Sequence, residues 1–410
     1  STTRVEGTFL IVPAPTDDIT LADGDVAAVD DQPYTGSQIR PVPAVTVMLP
    51  DAGGAPVAVP LVAGRDFDLS YGANVNVADG GTVTVTGKGR YNGTVERSFT
   101  ITPADMAAAV AADPAAVTYD GQPHTPAIAV TYNGRPVAAD QYAASFADAE
   151  GNPVDAPQTA GTYTVTLTAA DGGNFTGAKA PACTFTINKA SLSGAAGSVA
   201  NLVVVRDGEG AAQEQAPTAK LVLNGTELTE GDDFTVAYDP APVAEVGTYS
   251  ATFTGTGNYE GTVGGVTFQV VAEGTVLATL DRVEVQGDPF TYNGKAQAPA
   301  VIAYDTNGDQ IPAAYLTVSY ADNVNAGTGR ITVKAQGTAT EGSGDDAVTT
   351  VYGGLAAATF QIDPAAITSV AATPAQMPYT GSAAEPALTV KAGTLTLAPA
   401  DYTAAFTGNT

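Results

Sequence analysis

The sequence holds one cysteine, one histidine and no tryptophan in 410 residues. A single cysteine excludes an intramolecular disulfide framework. Nucleophilic catalysis needs a nucleophile beside a base. For the lone Cys183 the only histidine is His124. Cys183 shares strand parity with Phe185 and Ile187, so it is expected in a core, where a free thiol acts as a small hydrophobe. His124 follows Gly121-Gln122-Pro123 and is expected in an exposed loop. Cations are scarce: 16 Lys and Arg stand against 43 Asp and Glu, a net charge of −27. Such a surface repels phosphate backbones and anionic membranes, so no nucleic-acid partner is expected. The acidity reads as a solubility device, with divalent cation binding as the minority reading. No run of 18 apolar residues occurs, so no membrane insertion is expected. Walker loops, His-Glu-X-X-His, Cys-X-X-Cys and Gly-X-Ser-X-Gly are all missing.

What the chain has is repetition. Tyr34-Thr35-Gly36 returns as Tyr119-Asp120-Gly121, Tyr292-Asn293-Gly294 and Tyr379-Thr380-Gly381. Arg206-Asp207-Gly208 is read as a degenerate copy in the gap. The steps are 85, 87, 86 and 87 residues. A fixed period of this size marks a tandem array of one domain type. Each copy closes on an aromatic in an alternating strand: Phe99, Phe185, Phe268 and Phe360. A Gly-flanked aromatic precedes it: Tyr91, Phe175, Tyr259 and Tyr352. The fourth copy is longer, and its extra residues are assigned to an exposed loop at 337–350.

The expected division is a tail of a preceding repeat at 1–25, full repeats at 26–104, 105–190, 191–273 and 274–365, and a truncated repeat at 366–410. The tail is placed because Val5-Glu6-Gly7-Thr8-Phe9 aligns with Val95-Glu96-Arg97-Ser98-Phe99. The chain therefore reads as a window on a longer array.

The local signals are almost all strand. Thr162-Tyr163-Thr164-Val165-Thr166-Leu167-Thr168 alternates with period two, as in a strand with one buried and one wet face. Asn133-Gly134, Asn224-Gly225 and Asn307-Gly308 predict hairpins, because Asn-Gly supplies the positive φ angles of a tight turn. Gly53-Gly54 takes that place in the first full copy. The one helical-looking stretch, 104–112, is short and precedes Pro114. Six or seven short strands per period predict an all-β chain: a tandem array of Ig-like antiparallel β-sandwich modules of about 86 residues. The first full core should use Phe67, Tyr71, Val83, Val85, Tyr91 and Phe99. Fixed phase in every copy favours core packing over a sugar-stacking platform for these aromatics.

No catalytic or cofactor-binding residue emerges, and no enzyme activity is expected. The adjacent acids Asp232-Asp233 and Asp345-Asp346 read as solvated pairs, since glycosidase carboxylates face each other across a cleft. Lys88, Lys179, Lys220, Lys295 and Lys334 are out of phase, which argues against a Lys–Asn crosslink in every module. Calcium is the one cofactor to consider. Asp148, Glu150 and Asn152, and Asp322, Asn323 and Asn325, cluster hard oxygen ligands. Both lack EF-hand spacing, and Asp/Asn/Gly clusters are ordinary turn chemistry.

The succession Tyr-X-Gly, Asp-Phe, Gly-Thr-Tyr-Thr-Val-Thr and Gly-Asn-Tyr-X-Gly resembles the bacterial Ig-like repeats of large surface proteins. It is most similar to the MBG/YDG-type modules of cell-wall-attached adhesins. The residues that carry the resemblance are Tyr119-Asp120-Gly121, Asp233-Phe234, Gly161-Thr162-Tyr163-Thr164-Val165-Thr166 and Gly257-Asn258-Tyr259-Glu260-Gly261. It extends over essentially the whole chain. It implies a non-enzymatic stalk or spacer on the bacterial cell surface, extracellular and cell-wall attached or secreted. Two other roles stay open: an adhesive module for a ligand on a host or neighbouring cell, and a filament subunit that self-associates end to end. Proline-stiffened linkers such as Thr102-Pro103-Ala104-Asp105 and strands of ~3.3 Å per residue predict modules roughly 35–40 Å long, and about 150 Å for four.

Overall fold

A computed structural model describes residues 18–378 and 382–407, with only the backbone at position 345. The aligned segment at 5–13 and the last motif copy, Tyr379-Thr380-Gly381, lie outside those residues. Among them the regular elements are strands and single 3-10 turns. The chain divides into two compact units at Asn188/Lys189.

The first unit contains the first two modules. In the second of these, Gly161–Ala169 is the central strand. It pairs antiparallel with Tyr142–Ala147 on one side and Ala178–Asn188 on the other. Its alternation is the expected one: Tyr163, Val165 and Leu167 are buried, and the intervening threonines face outward. An opposing sheet is built from Val110–Ala111, Val130–Tyr132 and Arg135–Pro136. Between the sheets lie Phe146, Phe185, Ile187 and Cys183. The second unit repeats the plan around Gly247–Gly255 and Gly327–Ala335, with cores centred on Phe253 with Phe268 and on Ile331 with Phe360.

Each module contains two parallel pairings: a short one with the strand of the Gly-flanked aromatic, as in Ile19–Thr20 with Tyr91–Asn92 and Ala104–Asp105 with Phe175–Thr176, and one at the closing strand. Val117–Thr118 joins the outer edge of Ala178–Asn188 in parallel, as do Gln32–Pro33, Leu202–Val203 and Phe290–Thr291 in their own modules. The sandwiches are thus antiparallel apart from these pairings. The Tyr-X-Gly motif follows the strand that joins the closing strand in parallel. The tyrosine N–H donates to the last carbonyl of the closing strand, at 2.8 Å for Tyr34, 2.9 Å for Tyr119 and 2.8 Å for Tyr292. In the third module the same bond is made by Val204, at 2.9 Å. The degenerate copy is therefore Val204-Val205-Arg206, two residues earlier than expected, and a buried valine stands where the others have tyrosine. The middle residue of the motif folds the turn after it: Asp120 Oδ1 accepts from Gln122 N, and Asn293 Oδ1 from Lys295 N. The glycine is left-handed, with φ 77° at Gly121 and 73° at Gly294.

Three expectations are corrected, while the helical-looking stretch 104–112 keeps one turn: two short strands flank a single 3-10 turn, Met106–Ala108. So short a stretch cannot offset helix nucleation, and both sheets claim its apolar side chains; Met106 and Ala109 are fully buried. The segment 337–350 is not a loop. Gly337–Glu341 pairs with Val348–Gly353 as a hairpin, favoured by its Thr/Val content. Residues 19–21, placed in a preceding tail, pack with the first full module. Ile19–Thr20 pairs with Tyr91–Asn92, and Leu21 is buried beside Val45, Phe67 and Val85. In that core Phe67, Val83, Val85 and Phe99 are buried, whereas Tyr71 and Tyr91 are half-buried.

Asn133-Gly134 and Asn224-Gly225 form two-residue hairpins with φ of 49° and 74° in both. Asn307-Gly308 and Gly53-Gly54 do not. They belong to a five-residue turn led by an aspartate, in which only the fourth residue is left-handed: Gly54 at 85° and Gly308 at 89°. This turn needs Asp51 and Asp305, whose Oδ1 atoms each accept two backbone N–H groups at 2.8–2.9 Å.

Tyr163 and Tyr249 bond back to the chain four residues earlier, at 2.7 Å to Thr159 O and 2.9 Å to Glu245 O. These are tyrosine corners of the kind that tie Ig-like sandwiches. The first and fourth modules have Gly81 and Gly329 at this register, opposite Phe99 and Phe360. The phenylalanine ring folds over the glycine instead: a Cβ on Gly329 would lie 2.4 Å from Phe360 Cζ. Gly329→Ala is therefore expected to destabilise the fourth module by about 1–3 kcal/mol through overpacking. Thermal unfolding measures it; a neutral substitution would show that the ring has room to turn away.

Candidate functional site

The calcium candidates are already occupied with structure. Asp148 leads the same five-residue turn as Asp51 and Asp305. Its Oδ1 accepts from Glu150 N at 3.1 Å and Asn152 N at 2.8 Å, and its Oδ2 from Asn152 Nδ2 at 3.0 Å. These bonds, the Asn152 side chain first, hold its carboxyl below the usual range. Asp207 repeats the arrangement with Glu209 N and Ala211 N. Four modules thus use one turn at three places in the topology, and its Asp/Asn/Gly composition follows from backbone geometry. At the second cluster, Asp322 is left-handed at φ 52° and ion-pairs with Arg330 at 3.2 Å. Asn323 Nδ2 donates to Gln297 O at 2.7 Å. Asn325 and its neighbours line an open groove. Among the described residues no group of three or more His, Cys, Asp or Glu is placed to hold a metal ion.

Calcium is accordingly expected to leave the melting temperature unchanged. An ion at 100 times its dissociation constant would add about 2.7 kcal/mol. A rise of several degrees in millimolar calcium, lost in Asp322→Ala, would overturn this.

His124 is not simply exposed. Its side chain is 22% accessible, Nε2 lies 3.0 Å from Asp120 Oδ1, and its ring sits 6.5 Å from Phe185. The motif turn at Gly121 folds it back onto the module. Asp120 is held below the usual carboxylate range, first by the Gln122 N–H and also by His124. Cys183 is buried as expected, and burial pushes its thiol up, with Asp113 adding to the effect. A reactive cysteine needs the opposite environment. Asp233 closes its own loop by accepting from Thr229 N at 2.9 Å.

The aromatic and polar groups that converge do so between consecutive modules. In the first unit Tyr34 stacks on Tyr132, with centroids 6.0 Å apart and planes 14° apart. It meets Phe175 edge-on at 5.3 Å. Asn133 Nδ2 donates to Thr35 O at 3.2 Å, and Asn174 Oδ1 accepts from Val77 N at 2.8 Å. Burial against the second module raises the Tyr34 hydroxyl. In the second unit Tyr292 and Asp401 line one groove, and Gly294 lies against Leu395. The Tyr-X-Gly motif thus faces the next module at both positions. The sequence flagged it by its period and assigned it to strand boundaries; only the neighbouring module reveals its outward use.

Lys334 was singled out only for its phase. It stands on the outer face of Gly327–Ala335 and is half-buried against the third module. Lys88, Lys179 and Lys220 instead bond at their own module's surface, to Gly64 O, Ala107 O and Glu227.

Residues 106–199 match the family model of the MBG domain. No curated protein sequence matches the chain. Among solved structures, the chain is similar to a tetra-tandem repeat from the extending region of a large adhesion protein. That likeness has 14% identity over 78% of this chain and 91% of the other, at a TM-score of 0.23. It is also similar to extracellular cadherin domains 1–5 of protocadherin gamma B2, with 10% identity over 83% and 81% and a TM-score of 0.19. A third likeness is to protocadherin gamma B7 EC3-6, with 11% identity over 84% and 100% and a TM-score of 0.20. Among the described residues no helix is long and apolar enough to cross a membrane.

Proposed function

Since residues 106–199 carry an MBG domain, we propose that the chain is a non-enzymatic spacer in a bacterial surface adhesin, holding a binding region away from the cell. One observation carries this reading: the motif that marks the repeat is also what grips the next module. Tyr34 packs on Tyr132 and Phe175, and Gly294 of the later copy lies against Leu395. Aromatic pairs add about 0.5–1.5 kcal/mol beyond area burial, enough to bias a short proline-containing linker toward one angle. A spacer needs this property and a catalyst does not. The polar sites support the same role, because their carboxylates are consumed in turns repeated from module to module.

Small-angle scattering tests the reading. The full chain is expected to have a maximum dimension of about 150 Å, from strand rise and module number. Tyr34→Ala is expected to leave each module folded and to broaden the distance distribution. A maximum dimension below about 90 Å would refute the spacer role.

A further inference from the structure

Between the third and fourth modules of the second unit lies a cavity of about 130 Å³. One wall is the closing strand of the third module, with Thr267 and Gln269. The other is the outer face of Gly327–Ala335 with Gln336 and the end of the hairpin strand at Tyr352. Arg330 Nη1 donates to Thr226 Oγ1 at 2.6 Å elsewhere in the junction, and two further hydrogen bonds cross it at the cavity's margins. Asn201 Nδ2 donates to Tyr352 O and Gln336 Nε2 to Thr267 Oγ1, both at 3.4 Å. These are long bonds, at the weak end of the range. Water occupies about 30 Å³ in the liquid, so the space suits roughly four waters or one compact solute.

The chemistry of the lining is one-sided. Ser198, Thr248, Thr267, Gln269 and Gln336 offer hydroxyl and amide groups, and Lys334 offers an ammonium; no Asp or Glu is among the lining residues. Strand parity explains the direction of Lys334. Ile331, Val333 and Ala335 fill their own module's core, so residue 334 must face the neighbour. Burial lowers its pKa, and no carboxylate offsets that effect. In a chain of net charge −27, this cation sits half-buried beside polar groups with no acid among them. Burying charge without a partner is costly, and an anion in the cavity would remove that cost.

We propose that this junction cavity is a binding site for a small oxyanion, a short carboxylate or a tetrahedral anion, held by the Lys334 ammonium and the surrounding hydroxyls and amides. The ligand would touch both modules, so binding would tighten their junction. The site does not depend on the spacer reading, because a free-standing protein could carry it equally well.

The test compares wild type with Lys334→Met and Lys334→Arg in sodium acetate and in sodium sulfate, each against sodium chloride of equal ionic strength. Sulfate stabilises most proteins by exclusion from the surface, so the difference between variants is the reading. At roughly ten times the dissociation constant, wild type is expected to melt about 5 °C higher than the general salt effect allows. Lys334→Arg should keep that extra rise, and Lys334→Met should lose it. Without the anion, Lys334→Met should melt no lower than wild type, since it removes an unpaired buried charge. The response to acetate against sulfate shows which anion shape the site takes. An equal response of all three proteins to both anions would overturn the proposal, as would a Lys334→Met variant that melts well below wild type in chloride. Amide-proton NMR shifts confined to Gln269, Gln336 and their neighbours on titrating acetate or sulfate would support it independently; shifts spread over the surface would count against it.

Discussion

Phe185→Ala is expected to cost about 3–5 kcal/mol, the usual range for a core phenylalanine. The residue is 1% accessible and lies between the sheets of the second module. Its ring meets Phe146 at 6.4 Å, and it pairs across strands with Tyr163. The lone cysteine makes the effect readable one module at a time. Cys183 lies two residues away on the same face, buried, with its thiol pushed up. In the native wild type a bulky thiol reagent should react slowly. In Phe185→Ala the reaction should accelerate, while transitions from other modules persist. Immediate labelling of the wild type would contradict the strand parity assigned to this segment.

Asn74→Ala is expected to cost a similar amount, about 3–5 kcal/mol, for a different reason. Asn74 is 2% accessible and left-handed at φ 48°. Its amide donates to Ile39 O at 3.0 Å and Thr82 O at 2.8 Å, and its Oδ1 accepts from Thr82 N at 2.8 Å. One side chain thus satisfies three backbone groups where strand pairing stops. Truncation removes the side-chain partner of Ile39 O and Thr82 N, at about 1–3 kcal/mol each, while Thr82 O keeps the Gly72 N–H at 3.2 Å. Alanine also tolerates the left-handed backbone less well than asparagine. Asn74→Asp separates these contributions. It keeps the shape and the acceptor but replaces the amino group, with both its N–H donors, by one oxygen facing two carbonyls. It should be at least as damaging at pH 7, where the buried carboxylate is charged. Burial raises such a carboxyl's folded pKa above its unfolded value, so stability should return as pH falls and the group takes up a proton. Chemical denaturation at pH 7 and near pH 4 measures both. An Asp variant as stable as wild type at pH 7 would show that the amide donors carry no weight.

The fold class was legible because its signals are local. Period-two alternation decides which side chains of Gly161–Ala169 enter the core, and Asn-Gly decides where Val130–Tyr132 turns back. The repeat multiplies each such signal, so an error in one copy is outvoted by the others. The same averaging misled at the third copy. Arg206-Asp207-Gly208 looked like a worn Tyr-X-Gly, but hydrogen bonding puts Val204 at that position and gives Asp207 to a hairpin turn. The calcium clusters were ambiguous for a related reason: an Asp that caps its own turn and an Asp that awaits an ion share the same neighbours in sequence.

Sequence by itself determined the inside of each module, because a strand's own periodicity states which face is apolar. It left open what covers the outer faces, because that surface comes from another module some 85 residues away and leaves no trace in local pattern. Tertiary structure alone decided that Tyr34 rests on Tyr132, that His124 tucks against its own sheet, and that Lys334, on the polar face of an ordinary strand, is withdrawn from water.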